Sequence, residues 1–373
     1  MQLTPPLQIA IAGSGLLGRL LAWQLSLLGH KVVVYDKRPP ERDTSAAYTA
    51  AGMLAPISEA ASSLNSNVLM AGIESIQQWS LWCQSLNLTN ALHHGGSLVL
   101  AHPQDSAELE QFNHDCRALR DNESLNIKSL NRNAIAELEP HLSKSFEKGL
   151  WINPEAHLDN RQLLNRLDAI LATQQVTFNF NTDVNVGPGE ISETQSDKIY
   201  RYDWVIDCRG AGARSQLGQL RGVRGETLHL HTREISLRRP IRLMHPRYQL
   251  YVVPKPEHRF VVGATQLESE DVSPISLQSS LELASAVYTI APAFSEARVL
   301  EAGVNLRPAF RDNLPQVTTE PGLVIANGLY RHGYLLAPLV VEQTISIVAG
   351  NNNYACEKLS APPLTNRQAV YEI

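Results

Sequence analysis

The sequence predicts an α/β (α+β) fold: a Rossmann-like domain assembled from discontinuous segments, carrying an inserted domain built on an antiparallel sheet. Three observations lead there. Gly13, Gly15 and Gly18 form a GxGxxG spacing between an apolar run, Leu7 to Ala12, and a helical pattern, Leu16 to Leu28. Short apolar runs that end near glycine recur in mid-chain (Trp204 to Asp207, then Cys208-Arg209-Gly210) and late in the chain (Leu323 to Ala326, then Asn327-Gly328). Between them, Val223 to Thr265 is β-rich, with a hairpin expected around Lys255-Pro256-Glu257.

Each element follows from local pattern. Leu7 to Ala12 reads as a buried strand. The helix after it places Leu17, Leu20, Leu21, Leu25 and Leu28 at helical spacing and stops at Gly29, a C-cap residue. Lys31 to Tyr35 (KVVVY) is a second buried strand, closed by Asp36. Asp43 to Ala61 is rich in small residues and matches neither a strand nor an amphipathic helix. Helices are expected over Asn67–Leu88, Ala107–Leu119, Asn133–Leu138, His157–Thr173, Leu281–Ile290 and Leu335–Val348. Strands are expected at Ser97–Leu100 and Val176–Phe180. Residues 1–88, 150–219 and 303–373 are assigned to the nucleotide domain, and 89–149 and 220–302 to the substrate domain.

Composition narrows the function classes. The chain has 373 residues, 43% hydrophobic and 18% charged, which is ordinary for a globular protein. A net charge of −5 gives no field to attract nucleic acid. Cys83, Cys116, Cys208 and Cys356 show no CxxC spacing, so neither zinc nor a disulfide framework is expected. No metal site is predicted. Met1 to Pro6 lacks a positive n-region, and the apolar run behind it breaks at Gly13; a cytoplasmic protein without a membrane span is expected.

The glycine motif has a physical reading. Gly13 permits the tight turn, Gly15 lets backbone approach a pyrophosphate, and Gly18 lets helix and strand pack closely. The helix N-terminus presents N–H groups and a positive dipole end to phosphates. Asp36, 18 residues beyond Gly18, is placed to accept from an adenosine ribose, which argues against a 2′-phosphate. The motif alone leaves NAD and FAD open. The small residues Ala50-Ala51-Gly52-Met53, followed by a long helix, favour the close approach of a flat flavin ring. His157 and Asp159 have no nucleophile partner, and Asp159 is expected to cap a helix.

These segments, with others, match a known family. They are GSGLLG near the start, TAAGML at Thr49 to Leu54, HHGGSLVLA at His93 to Ala101, VRGE at Val223 to Glu226 and YVVPK at Tyr251 to Lys255. FVVGAT at Phe260 to Thr265, NLRPAFRDNLP at Asn305 to Pro315 and GLYRHGYLLAP at Gly328 to Pro338 complete the set. In that order, and over nearly the whole chain, the sequence resembles the D-amino-acid oxidase superfamily of FAD-dependent oxidoreductases, and within it the thiamine-pathway glycine oxidases.

The resemblance implies non-covalent FAD and oxidation of glycine or another small amino acid or amine. The imine would hydrolyse to an oxo-acid, with oxygen reduced to peroxide. A homo-oligomer is also implied. Arg307 matches the carboxylate-binding arginine, Tyr251 a tyrosine that helps hold the carboxylate, and Arg331 a second active-site arginine; Gln266, Tyr334 and Tyr248 are weaker pocket candidates. Motif and resemblance together give a cofactor-contacting set of Gly13, Ser14, Gly15, Leu16, Leu17, Gly18, Asp36, Lys37, Arg38, Thr49, Ala50, Ala51, Gly52, Met53, Val184, Cys208, Gly210, Gly328, His332, Gly333, Tyr334 and Leu335. Gln266, Tyr48-Thr49 and Arg209 depart from the family pattern and leave the substrate open. Three alternatives stand: an N-methyl amino acid oxidase or a quinone-linked dehydrogenase on the same fold, an NAD-dependent dehydrogenase, and a flavin-binding accessory protein without catalysis.

Overall fold

The computed structural model describes residues 5–63, 65–119, 125–174, 176–196, 198–247 and 250–350. Tyr248, Cys356 and the end of the segment 303–373 lie outside the described residues.

Gln8–Ala12 and Lys31–Tyr35 are strands joined by the helix Leu16–Leu27, and they pair in parallel. Trp204–Asp207 pairs in parallel on the other side of Gln8–Ala12, and Leu323–Asn327 pairs in parallel beyond it. Val176–Asn179 and Gln316–Glu320 complete a six-stranded sheet. Distant parts of the chain therefore share one sheet, because a buried strand needs a neighbour on each edge to pair its N–H and C=O groups, while helices cover the faces. The helices Leu16–Leu27, Asn160–Thr173, Ser66–Ser85 and Gly333–Val348 pack in layers against it. Their core includes Trp79, whose indole N–H donates to the Tyr334 carbonyl at 2.7 Å.

A second, eight-stranded sheet is mostly antiparallel. Its order runs Arg298–Ala309, Arg221–His231, Arg259–Gly263, Leu250–Lys255, Ile241–Met244, Ser97–Ala101, Lys148–Ile152 and Ile127–Asn131. The hairpin expected around Lys255–Glu257 is present. The helix Leu277–Ile290 covers one face and buries Leu283, Ala286, Val287 and Ile290 in a separate core. Two strands of this sheet, Lys148–Ile152 and Arg298–Ala309, run across the domain boundaries assigned from sequence.

Local differences have local causes. His157 belongs to the short strand Ala156–Leu158 rather than to the helix after it, which spans Asn160–Thr173. Asp159 is the N-cap, its Oδ1 accepting from the Gln162 N–H at 3.1 Å. The small-residue segment 43–61 resolves into helix Ala46–Thr49, strand Met53–Leu54 and helix Pro56–Ser63. Each is too short to leave a periodic pattern in sequence. Cys83, Cys116 and Cys208 are buried free thiols. Among the described residues no helix is long and apolar enough to cross a membrane.

Candidate functional site

One cavity of about 920 Å³ runs from the glycine turn to the eight-stranded sheet. At its nucleotide end lie Gly13, Gly15, Leu16, Leu17, Asp36, Lys37, Arg38, Cys208 and Gly210. Gly13 has φ +99°, and a Cβ there would meet the Cys208 carbonyl at 2.7 Å. A Cβ on Gly18 would fall 1.8 Å from the Gly13 carbonyl oxygen, so this glycine lets the helix sit on the turn. A Cβ on Gly15 would meet nothing within 4 Å; the space it faces belongs to the cavity. No side chain caps the helix Leu16–Leu27, so its first N–H groups face that space. This cradle fits a dinucleotide pyrophosphate.

Side chains brace the turn from behind. Asp36 accepts from the Ser14 N–H at 2.6 Å and from the Ser14 hydroxyl at 2.7 Å. Arg38 donates to the Ser14 hydroxyl at 2.8 Å and lies over the Phe180 ring. Arg19, which sequence reasoning missed, is fully buried. It donates to the Ser14 carbonyl at 2.6 Å and pairs with Asp43 and Asp168. Arg209, the departure from the family pattern, pairs with Asp207 and donates to the Val184 carbonyl at 2.7 Å. Val184 lines a small recess beside Tyr35, Asp36 and Lys37.

Thr49, Ala50, Ala51, Gly52 and Met53 line the same cavity, as do Gly328, Gly333 and Tyr334. Asn160 donates to the Ala47 and Ala50 carbonyls at 3.0 and 2.7 Å. Lys255 donates to the Ala51 and Leu158 carbonyls at 2.8 and 2.6 Å, and burial lowers it to about 7. The Tyr334 hydroxyl donates to the Ala47 carbonyl at 3.0 Å. Tyr48 turns away and stacks under Arg161.

Five expected cofactor residues do not line the cavity: Val184 borders only the small recess, and the other four are packed away from both. Ser14 is turned to Asp36, and Gly18 is packed on Gly13. Leu335 packs against Gly72. His332 is buried behind Glu59, its Nδ1 3.5 Å from a carboxylate oxygen.

The far end is built on the eight-stranded sheet. Arg307 crosses from its own strand over Gly225 on the neighbouring strand, where a Cβ would fall 2.4 Å from the guanidinium carbon. Its Nη1 donates to the Thr265 carbonyl at 3.0 Å and the Arg224 carbonyl at 3.3 Å. Among the described residues it has no carboxylate partner. Tyr251 lies over Gly263, its register partner. Burial raises the Tyr251 hydroxyl above its ordinary value, against the pull of Arg307 and Arg331, so it stays protonated and able to donate.

Arg331 donates to Glu59 at 3.2 Å and to the Gln266 amide oxygen at 3.3 Å, with Gln266 exposed on the rim. Arg242, register partner of Tyr251, donates to the same Glu59 oxygen at 3.0 Å. Burial opposes the Glu59 charge, yet Arg331 and Arg242 overcome it and hold the carboxyl at about 2. Neither Glu59 nor Arg242 was found from sequence. One sits in a short helix of small residues and the other in an apolar strand, and only the fold joins them.

The FAD-dependent oxidoreductase (DAO) profile matches residues 8–345. The chain belongs to this family. This FAD-dependent oxidoreductase is 40% identical over 332 residues to a protein of Rhizobium etli assigned as the thiamine biosynthesis oxidoreductase ThiO, covering 89% of this chain and 93% of that one. The fold is shared with the iminodiacetate oxidase of Chelativorans sp. BNC1, at TM-score 0.80 and 22% identity over 95% of this chain and 98% of that one. It is also shared with the glycine oxidase of Geobacillus kaustophilus, at TM-score 0.79 and 22% identity over 94% and 96%.

Proposed function

We propose that this FAD-dependent oxidoreductase oxidises a small amino acid or amine, glycine foremost, with oxygen as the final acceptor. Glycine, oxygen and water would give glyoxylate, ammonia and hydrogen peroxide. Bound FAD supplies the two-electron acceptor for such a reaction. The observation that carries the reading is Arg307: a guanidinium lining the cavity, fixed by two carbonyls and, among the described residues, paired with no acid. A fork in that state is suited to a bidentate carboxylate.

Tyr251 adds one hydroxyl donor beside it, and together they would orient the carbon that bears the amine. Gly13, Gly15, Asp36, Lys37 and the segment Thr49–Met53 would hold the dinucleotide and flavin ends. Cys208 is committed to the turn, its thiol donating to the Ala12 and Gly13 carbonyls, which supports non-covalent attachment. The 40%-identical relative supports a place in thiamine biosynthesis.

The test is the visible spectrum of the purified holoenzyme under nitrogen, before and after adding glycine, N-methylglycine and D-alanine in turn. Bleaching by one of them is expected, and admitting air should restore the spectrum with peroxide formed. Bleaching that air does not reverse would point to a quinone acceptor. A flavin spectrum that none of the three changes would refute the reading.

A further inference from the structure

The Arg307 end of the cavity holds more positive charge than one substrate carboxylate needs. Arg307, Arg331 and Arg242 all line it. They are not equivalent. Among the described residues Arg307 donates only to backbone carbonyls. Arg331 is engaged on both sides, by Glu59 at 3.2 Å and by Gln266 at 3.3 Å. Arg242 is buried, shares the same Glu59 oxygen at 3.0 Å, and has buried Glu155 as a second neighbouring acid. Glu59 itself is bound into the interior between helix and sheet, with His332 at its other oxygen. One guanidinium is therefore open, and the second is already answered by the protein's own carboxylate.

We propose that Glu59 is a specificity-determining residue, which by occupying Arg331 limits the pocket to amines carrying a single carboxylate. The inference rests on the amine-oxidase reading above. A second substrate carboxylate would have to approach Arg331 beside Glu59, and like charges in a partly desolvated site repel strongly. Glu108, Glu282 and Arg247 also line the cavity, but none of them is paired with Glu59 or Arg331. Removing the Glu59 charge uncovers Arg331 and raises the anionic capacity of the pocket from one to two.

Methoxyacetate and diglycolate test this directly. They are unreactive ethers with the shapes of N-methylglycine and iminodiacetate, and they differ by one carboxylate. Each is titrated into the holoenzyme, with binding read by calorimetry and by the shift of the flavin spectrum. The native protein should bind methoxyacetate at least tenfold more tightly. In Glu59→Gln the ratio should move at least tenfold toward diglycolate, and adding Arg331→Gln to that variant should abolish the gain. Glu59→Asp, which keeps the charge, should keep the native preference.

Equal or tighter binding of diglycolate by the native protein would overturn the proposal, and this comparison decides even if Glu59→Gln does not fold. So would an unchanged ratio in a folded, FAD-loaded Glu59→Gln. Oxidation of monocarboxylate amines together with either result would fault this inference alone. If neither ether binds and no amine bleaches the flavin, the amine-oxidase reading falls with it.

Discussion

Replacing Arg307 by alanine tests the carboxylate clamp on which the functional reading depends. The native side chain is held in place by the Thr265 and Arg224 carbonyls, at 3.0 and 3.3 Å, and among the described residues has no acid partner to lose. Its removal should therefore leave the fold and FAD binding intact while deleting two charge-assisted hydrogen bonds to substrate. Each contributes roughly 1.5–3 kcal/mol. Water entering the vacated space recovers part of that, leaving a loss of about 3–4 kcal/mol, or roughly a hundred- to a thousandfold in kcat/KM. Arg331 cannot substitute, because Glu59 and Gln266 occupy it. Arg307→Lys keeps the charge without the fork and should fall between native and alanine. The assay is steady-state kinetics on an amino acid beside the same amine lacking its carboxylate, with flavin content measured for each variant. Only the amino acid should suffer. A change below threefold in Arg307→Ala, or an equal loss on the carboxylate-free amine, would refute the clamp.

Three further outcomes are expected. Gly225→Ala would place a methyl 2.4 Å from the Arg307 guanidinium carbon, the far end of a flexible side chain; the protein should fold, yet lose amino-acid affinity at least tenfold, and unchanged affinity would mean Arg307 works from another position. Gly15→Ala adds a methyl that meets no protein atom but enters the cradle, so apoprotein stability should stay native while FAD affinity drops at least tenfold, whereas Gly18→Ala, 1.8 Å from the Gly13 carbonyl oxygen, should impair folding itself; equal FAD affinity in Gly15→Ala and native protein would place the pyrophosphate elsewhere. Lys255, lowered to about 7 by burial, should make stability pH-dependent. Above pH 7 the folded state sheds a proton that the unfolded chain keeps until its ordinary value, so stability rises with pH by up to about 1.4 kcal/mol per unit. Urea unfolding at pH 7 and pH 9 should show native protein gaining on Lys255→Met, and a constant difference would contradict that assignment.

What the sequence made legible was whatever depends on near neighbours. The glycine turn, its strand, its helix and Asp36 all lie between Gln8 and Asp36, and backbone geometry within that span restricts which residues can stand there. The hairpin ending at Lys255 was legible for the same reason. Arg307, Tyr251 and Arg331 were singled out only through an ordered family resemblance, since an arginine in a strand carries no local mark of what it faces. Glu59 had no such mark either. Its partners Arg242 and Arg331 lie 183 and 272 residues away, and its helix is eight residues long among alanines and serines.

The hidden residues share a physical character that explains why they matter. Arg19, Glu59, Lys255 and Asn160 hold the loops and side chains that border the cavity, and they do so with charges or amides taken out of solvent. A charge buried for this purpose must be answered at close range or it destabilises the fold. Arg19 is answered by Asp43 and Asp168, and Glu59 by two guanidiniums. Lys255 and Arg307 depart from this arrangement: among the described residues each is held by carbonyls alone, and of the two Arg307 lines the cavity. Lys255 can meet that cost by losing its proton, being lowered by burial to about 7; a guanidinium keeps its charge, so Arg307, on the wall of the cavity, is where our proposal places the substrate's anion.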